Sequence, residues 1–484
     1  MLPDTFVPIT DLVREHARRR GDKLAIIDGP RKLSWSDLEE RLSRAAAALA
    51  REGLGKGDVI AIAAPMSADY LVLWLGALRA GLAVAPLPQS LHADALASMV
   101  TDSGAALLFD AARLANLETW LTPPGAQPPP VAIAPSDPFN LIYSSGTTGR
   151  PKGIVQPHSQ RWAHIQRGFA QGYGVDSVTL VATPLYSNTT LVSLFPTLGL
   201  GGTLVLMHKF DATEFLVLAE RHRASHMMLV PVQYRRLLES PDFDRFDLSS
   251  TRAKFCTSAP FSAELKTEVL RRWPGGLTEY YGMTEGGGTC ILRCHEHPEK
   301  LATVGQPAAG SDIRLIGSDG RELPVGATGE IVGRSPAMMA GYHNLPSETA
   351  AVLWHCPNGQ RFIRTGDIGR FDGEGFLTLV DRAKDIVISG GFNIHPSDLE
   401  AVLVGHPAVV EAAVVGVASD KWGETPVGFV VLRAAVSPAD LRAWANERLG
   451  KTQRLADIVV VAELPRSEIG KILKRDLRKY YKPS

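Results

Sequence analysis

The sequence predicts an α/β protein with a large N-terminal region of layered α/β subdomains, a small β-rich subdomain and a small C-terminal α+β domain. Three observations predict this fold class. The 484 residues exceed what one hydrophobic core holds, so two or more domains are expected. Strand-like and helix-like patterns alternate over residues 5–120, which is typical of parallel sheets covered by helices. Short strand-like runs separated by glycine turns fill residues 312–380.

The N-terminal elements follow from the periodicity of apolar residues. Residues 37–52 place their apolar side chains on one helical face, and residues 68–79 show a helical pattern again, so both segments are predicted helices. Short apolar runs at residues 59–64, 82–86 and 105–109 are predicted strands. The alternation of these five elements predicts parallel α/β layers.

The most apolar stretch of the chain covers residues 71–87. It contains Arg79 and Gly81 and breaks at Pro86, so it is predicted to be a buried helix that leads into a strand, and a membrane span is not expected. The proline-rich residues 121–138 are predicted to form an ordered surface connection or subdomain boundary, because no acidic or serine-rich tract accompanies them.

A separate α+β domain is predicted after residue 380, which divides the chain into residues 1–380 and 381–484. Its elements are predicted at residues 396–404 (helix), 409–417 (strand), 427–432 (strand), 438–449 (helix) and 458–461 (strand). A basic tail completes this domain.

Composition excludes several classes of protein. Lys+Arg and Asp+Glu are both 51, so the net charge of zero gives no reason to expect a nucleic acid or an anionic membrane as the main partner. The N-terminus lacks a basic region followed by an apolar run, so no secretory signal is expected. Four cysteines in a chain of this length favour a reducing compartment, and a cytoplasmic location is expected. A homodimer is left open.

The strongest local motif is YSSGTTGRPKG at residues 143–153, which follows a strand-like run. Its glycines allow a tight turn and close approach to a ligand, its Ser and Thr hydroxyls are donors, and Lys152 adds a positive charge. Together these features suit a loop that cradles a polyphosphate. The loop is not the common G-x-x-x-x-G-K-[ST] type, because no Ser or Thr follows Lys152.

Five motifs in order resemble those of the acyl-adenylate-forming superfamily, which includes acyl-CoA synthetases, peptide-synthetase adenylation domains and luciferases. The resemblance covers nearly the whole chain and is closest to acyl-CoA and aryl-CoA synthetases. It implies that the C-terminal domain is a mobile lid. The motifs are YSSGTTGRPKG (143–153), YYGMTE (280–285), RTGD (364–367), DRAKDIVISGGFN (381–393) and PRSEIGK (465–471).

The resemblance implies activation of a carboxylate by ATP, because attack on the α-phosphorus turns a carboxylate oxygen into a good leaving group. Cations must offset the repulsion between the two anions. Lys471 is implied as the catalytic lysine, Thr284 as an α-phosphate contact, Glu285 as the Mg²⁺ ligand and Lys384 as the hinge. The implied ATP- and AMP-binding residues are Ser144, Ser145, Gly146, Thr147, Thr148, Gly149, Lys152, Ser258, Ala259, Pro260, Tyr281, Gly282, Asp367 and Arg382.

Coenzyme A is implied as the acyl acceptor by resemblance to aryl-CoA ligases. Gly390 and Gly391 would line the pantetheine path, Trp422 would pack on the adenine of coenzyme A, and Arg454 would contact its phosphates. Many relatives carry a Lys-Arg-Pro stretch where this chain has Gln-Arg-Leu, so the resemblance does not define the exact nucleotide contacts. The alternatives are an adenylation enzyme that loads a carrier-protein thiol and a silent binding protein; the intact motif residues argue against the latter.

The acyl pocket is expected between four segments, and no side chain in them is a clear partner for a second charge on the acid. A monocarboxylic acid with a neutral tail is therefore favoured, either aromatic, phenylpropanoid or short-to-medium aliphatic. Tyr280 is expected to narrow the pocket and the glycines after Glu285 to open it. The pocket residues are Tyr186, Ser187, Cys256, Thr257, Tyr280, Gly286 and Gly287. A zinc site at Cys290, Cys294, His295 and His297 is not favoured, because the spacing matches no common pattern.

Overall fold

The fold is described from a computed structural model of the chain. The structure describes residues 5–144, 151–389, 392–419, 422–450, 453–467 and 470–481. The contacts within the chain group into two compact units. The first unit contains residues 1–313 and 333–363, and the second contains residues 314–332 and 364–484. The domain boundary expected at residue 380 stays a prediction.

Helices cover the sheets of both units. The α-helices of the described residues are α1 (Ile9–Arg20), α2 (Trp35–Arg51), α3 (Ala68–Arg79), α4 (Ala93–Ser103), α5 (Ala111–Ala115), α6 (Leu117–Trp120), α7 (His158–Ala170), α8 (Asn188–Gly199), α9 (Ala212–Arg221), α10 (Pro231–Leu238), α11 (Ala263–Arg272), α12 (Pro346–Ala351), α13 (Pro396–Val404), α14 (Pro438–Arg448) and α15 (Lys474–Tyr480). Within this part of the chain, none of the helices combines the length and apolar character that crossing a membrane requires.

Strands alternate with these helices. Those of the described residues are β1 (Leu24–Asp28), β2 (Arg31–Ser34), β3 (Val59–Ala63), β4 (Ala83–Pro86), β5 (Leu107–Asp110), β6 (Pro138–Ser144), β7 (Lys152–Pro157), β8 (Val178–Val181), β9 (Thr203–Leu206), β10 (His226–Leu229), β11 (Ala253–Cys256), β12 (Gly276–Gly282), β13 (Thr289–Arg293), β14 (Gln306–Pro307), β15 (Asp312–Ile316), β16 (Thr328–Arg334), β17 (Gly341–Tyr342), β18 (Leu353–His355), β19 (Arg361–Phe371), β20 (Leu377–Arg382), β21 (Val387–Ser389), β22 (Phe392–Ile394), β23 (Val409–Ser419), β24 (Gly423–Leu432) and β25 (Asp457–Val460).

Two sheets form the frame of the first unit. A nine-stranded sheet has the order β14-β13-β12-β11-β10-β8-β9-β1-β2, and its strands from β12 to β1 along this order are mutually parallel. A six-stranded sheet has the order β17-β7-β6-β4-β3-β5. Parallel strands end at the same edge of a sheet, so the loops after β10, β11 and β12 lie together.

Local sequence explains where the predicted elements begin and end. Ser34 starts α2 with a capping box, because its hydroxyl accepts a hydrogen bond from Asp37 N and Asp37 Oδ2 accepts one from Ser34 N. The expected helices and strands at 37–52, 59–64, 68–79, 82–86 and 105–109 correspond to α2, β3, α3, β4 and β5. Residues 121–137, all described, form neither helix nor strand, and Lys56 ties them down by donating to Ala132 O at 2.8 Å.

The second unit has its own core beneath a sheet that contains β21 to β25. Strands β23 and β24 form a long antiparallel pair, and β25 adds parallel to β24. Leu399, Leu403 and Val430 lie in the buried cluster between this sheet and helices α13 and α14. The mixed α/β architecture expected from the sequence, with a smaller C-terminal domain, is confirmed.

Candidate active site

Strands β6 and β7 form the hairpin that carries the phosphate-loop motif. They pair antiparallel, with Ser144 opposite Lys152. Tyr143 stabilises the start of the loop by donating a hydrogen bond to Asp102 Oδ2 at 2.8 Å. The expected loop residues Ser145, Gly146, Thr147, Thr148 and Gly149, and the side chain of Ser144, lie outside the described residues.

Tyr342 brings together two charged residues from motifs that are far apart in the sequence. The Lys152 Nζ lies 5.0 Å from the centre of the Tyr342 ring, in cation–π geometry. The Tyr342 hydroxyl donates a hydrogen bond of 2.8 Å to Glu285 Oε1. Burial, and then the charge of Glu285, raise the pKa of the Tyr342 hydroxyl, so this phenol stays protonated. A cation and a carboxylate thus face one region from β7 and from the loop after β12.

A buried network of amides holds the backbone at Thr284. Gln156 Nε2 donates to Thr284 O at 2.8 Å, and Gln160 Nε2 donates to the same oxygen at 3.3 Å. Arg161 in turn donates to Asn140 Oδ1 and to Asn188 Oδ1, and it also contacts Gln156. Arg161 is 1% exposed. Desolvation lowers its pKa to about 9. The network fixes the segment that carries the motif 280–285.

The loop after β11 is held in a strained conformation beside the start of α8. Ser258 has a φ of 81°, which is uncommon for a residue other than glycine. Its hydroxyl lies 2.6 Å from Thr189 Oγ1. Ser187 caps α8 by accepting a hydrogen bond from Thr189 N. The expected nucleotide residues Ala259 and Pro260 follow this turn; Tyr281 and Gly282 end β12.

Tyr280, an expected pocket residue, is packed between a ring and a cation. Its ring stacks on Phe255 with 5.8 Å between the ring centres. On α7, the guanidinium carbon of Arg167 lies 5.6 Å from the centre of the same ring. The Tyr280 hydroxyl and the Tyr186 hydroxyl are buried and have no hydrogen-bond partner among the described residues. The place of Tyr280 in an acyl pocket stays a prediction.

The other expected pocket residues lie around the ends of β11 and β12. Cys256 is fully buried at the end of β11, next to Thr257. A Cβ on Gly286 would lie 1.8 Å from Ala337 O, and one on Gly287 would lie 2.9 Å from the Ile363 side chain. These glycines are therefore needed for close backbone packing, and the space that they leave is already filled.

Within the second unit, Asp367 and Arg382 form an ion pair. They are opposite one another in the β19–β20 pair, with Arg382 Nε 3.0 Å from Asp367 Oδ1. Lys471 follows a turn in which Gly470 has a φ of 77° and Ser467 N donates to Lys471 O. Burial lowers the pKa of Lys471 to about 8, and the charges of Arg382 and Lys384 act in the same direction. Lys471 therefore lies near the ion pair.

The expected hinge and coenzyme A residues also belong to the second unit. Lys384 lies in a short 3-10 turn, where burial lowers its pKa. The next residue, Asp385, pairs with Arg478 of α15 at 3.1 Å. Trp422, which immediately precedes β24, is 50% exposed, and Arg454 is exposed. Gly390 and Gly391 lie outside the described residues.

The sequence contains two sets of candidate metal ligands, the cysteines and histidines of residues 290–297 and Glu285. Among residues 290–297, all described, the Cys290 and Cys294 thiols are buried. Burial raises the pKa of Cys294 to about 12. Over the described residues, no three His, Cys, Asp or Glu side chains converge on a metal-sized site. A magnesium ion delivered with ATP needs only one or two protein carboxylates, since the phosphates supply other ligands, and Glu285 fits that requirement.

Comparisons with known proteins show the family of the chain. The model of the AMP-binding enzyme family matches residues 13–343, and that of the AMP-binding enzyme C-terminal domain matches residues 398–471. The chain therefore belongs to the AMP-binding enzyme family. Within it, the chain is an AMP-forming acid–thiol ligase, similar to proteins named as CoA ligases.

Individual relatives cover the chain from end to end. A feruloyl-CoA synthase from an Amycolatopsis species is 33% identical over 96% of this chain and 97% of its own. The fatty acid–[acyl-carrier-protein] ligase ScoC from Streptomyces coeruleorubidus is 30% identical over 96% and 94%. The structure of o-succinylbenzoate CoA synthetase from Bacillus subtilis with an acyl-adenylate intermediate matches with a TM-score of 0.86, 28% identity and coverage of 98% and 99%. The same synthetase has also been solved with ATP and a magnesium ion.

Sequence reasoning missed three side chains of this site. Tyr342 lies outside the five motifs, and only folding brings it between Lys152 and Glu285. Arg161 and Arg167 belong to α7, which lies outside the five motifs. No local signal identifies them, because their partners lie elsewhere in the chain.

Proposed function

We propose that the chain is an ATP-dependent carboxylic acid:coenzyme A ligase. A carboxylate and ATP give an acyl-adenylate and pyrophosphate, and coenzyme A then gives the acyl-CoA and AMP. The acid is a monocarboxylate, either aromatic, phenylpropanoid or short-to-medium aliphatic. Relatives that act on ferulate and on fatty acids support this range of substrates.

The observation that supports the proposal is that Lys152 and Glu285 both contact Tyr342, the lysine at the ring and the carboxylate at the hydroxyl group. Lys152 would neutralise the β and γ phosphates of ATP. Glu285 would hold Mg²⁺, which supplies charge stabilisation at the phosphates when it is bound. The amide network that ends on Thr284 O holds the backbone next to Glu285 in place. Preorganised charges of this kind lower the barrier to phosphoryl attack, because they need not reorganise during the reaction.

In the second unit, Asp367 would accept hydrogen bonds from the ribose, with Arg382 holding its carboxylate in place. The positive charge of Lys471 would stabilise the reacting carboxylate and the α-phosphate during adenylation. The hinge at Lys384 would then turn the lid so that Trp422 and Arg454 meet coenzyme A. Trp422 and Arg454 are both exposed and so are accessible to a large ligand.

The test is a panel of carboxylic acids scored by AMP release with and without coenzyme A. Lys471→Ala should nearly abolish pyrophosphate exchange and spare acyl transfer from a supplied acyl-adenylate. Lys479→Ala is the matched control, because this lysine is exposed on α15. Equal loss of both half-reactions in Lys471→Ala would contradict the assigned role.

The second candidate acceptor is a carrier-protein thiol, and the similarity to a fatty acid–[acyl-carrier-protein] ligase favours testing it. The same panel should be run with holo acyl carrier protein in place of coenzyme A. Acylation of the carrier protein without any acyl-CoA product would establish this alternative.

A further inference from the structure

Arg167 is half-buried and differs from the buried arginines of the first unit in its partners. Arg44 donates to Glu118 and to Thr122 O, Arg79 donates to Glu39 and to Thr10 O, and Arg161 donates to two asparagines. Among the described residues, Arg167 makes no hydrogen bond and no ion pair, and its guanidinium contacts the face of an aromatic ring. A guanidinium carries five donors in a planar fork, so this cation has unused hydrogen-bonding capacity.

Arg167 lies beside a residue that the sequence analysis assigns to the acyl pocket. The ring that it covers belongs to Tyr280, which starts the motif 280–285 and stacks on Phe255 of β11. Tyr280, Phe255 and Met228 lie on one face of the sheet, because β10, β11 and β12 are in register. This face is the one over which the acyl tail is expected to run.

The ring that Arg167 covers also carries a hydroxyl group without a partner. The Tyr280 hydroxyl is buried and makes no hydrogen bond among the described residues. Buried polar groups usually find a partner, and an exception points to a missing water or ligand. Burial lowers the pKa of Arg167, and no carboxylate of the described residues counters that effect. A ligand oxygen would supply what both groups lack.

We propose that Arg167 and the Tyr280 hydroxyl bind an oxygen acceptor at the far end of the acyl substrate. This inference rests on the proposed function and names the substrate class more closely. The preferred acid ends in a hydroxyl group or in a second carboxylate, and the second case would replace the monocarboxylate of the proposed function. An acid that ends in a methyl group leaves the arginine unpaired. Arg167 is thus a specificity-determining residue on α7, outside the segments from which a neutral tail was expected.

Matched acids test the proposal, because a methyl and a hydroxyl group have nearly the same size. One set is 4-methylcinnamate, 4-hydroxycinnamate and 4-carboxycinnamate; the other is heptanoate, 6-hydroxyhexanoate and heptanedioate. The readout is kcat/KM for AMP release at saturating ATP and coenzyme A. In at least one set, the oxygen-ended acid should exceed the methyl-ended acid by roughly tenfold or more. Comparison of the hydroxyl-ended acid with the carboxylate-ended acid of each set shows whether the bound oxygen acceptor is neutral or anionic.

Three variants then assign the preference to its residues. Arg167→Met should abolish the preference and leave the methyl-ended acid within about twofold, since one charged hydrogen bond is lost only with oxygen-ended acids. Arg167→Lys should retain the preference for the carboxylate-ended acid better than the preference for the hydroxyl-ended acid. Tyr280→Phe should lower kcat/KM for the hydroxyl-ended acid. The control is Arg113→Met, because Arg113 also covers a ring, that of Phe109, in the other sheet of this unit.

The outcomes distinguish this inference from the proposed function. Normal AMP release with no preference for oxygen-ended acids would overturn the inference alone. A loss in Arg167→Met that is equal for all acids would also overturn it, since Arg167 would then act only through packing. No AMP release from any acid by the unmodified enzyme would overturn the proposed function and this inference with it.

Discussion

The pH dependence of adenylation tests the role of Lys471 most directly. Burial lowers the pKa of this lysine to about 8 from the ordinary 10.5, and the neighbouring cations Arg382 and Lys384 contribute. The proposed role requires the protonated amine, which is the dominant form below pH 8 and is lost as the pH rises through that value. The adenylation rate should therefore be flat below about pH 8 and fall about tenfold for each further pH unit.

A change of charge near Lys471 should shift the pH at which the adenylation rate begins to fall. Lys384→Gln removes a cation that disfavours protonation of Lys471, so the fall in rate should begin at a higher pH. Lys471→Arg should remove the fall altogether, because a guanidinium stays charged throughout the range. Lys479→Gln removes an exposed charge and should leave the pH at which the rate falls unchanged.

The assay is pyrophosphate exchange between pH 6.5 and 10, which reports the first half-reaction without the titration of the coenzyme A thiol. Acyl transfer from a supplied acyl-adenylate, measured over the same range, separates adenylation from thioester formation. The proposed role of the protonated Lys471 would be refuted by a rate that stays constant to pH 10. It would also be refuted if Lys384→Gln did not shift the pH at which the rate falls.

Three further predictions concern the first unit. Lys266→Met leaves the buried Glu279 carboxylate without the amine 2.5 Å away, so the free energy of unfolding in denaturant should fall by about 3–5 kcal/mol, and a double replacement by apolar residues should recover most of it. Gly286→Ala introduces a Cβ only 1.8 Å from a backbone oxygen at a φ of 77°, so it should lower the melting temperature and activity together, whereas Gly320→Ala, in open space at a φ of 76°, controls for backbone strain alone. Tyr342→Phe removes the hydroxyl group that donates to Glu285 Oε1. Because the carboxylate no longer shares its charge with this donor, the Mg²⁺ concentration for half-maximal AMP release should fall by about fivefold. An unchanged Mg²⁺ requirement would contradict the assignment of Glu285 as a metal ligand.

Local patterns in the sequence were sufficient to predict much of the fold. Helix α3 and strand β4 follow from an apolar run that breaks at Pro86, and α13 begins and ends where its pattern predicts. The order of strands within the nine-stranded sheet could not be predicted in this way. It depends on pairing between segments far apart in the chain, such as β1 with β9, and no local periodicity records that choice.

The same distinction applies to the site. The sequence by itself determined the class of enzyme, because Lys152, Glu285 and Lys471 each stand in a motif whose residue types suit ATP and a carboxylate. Only the tertiary structure placed Tyr342 between Lys152 and Glu285, filled the space beside Gly286 with backbone, and put Arg167 over Tyr280. A motif fixes which groups are present, whereas distances, burial and partners depend on segments that meet only when the chain folds.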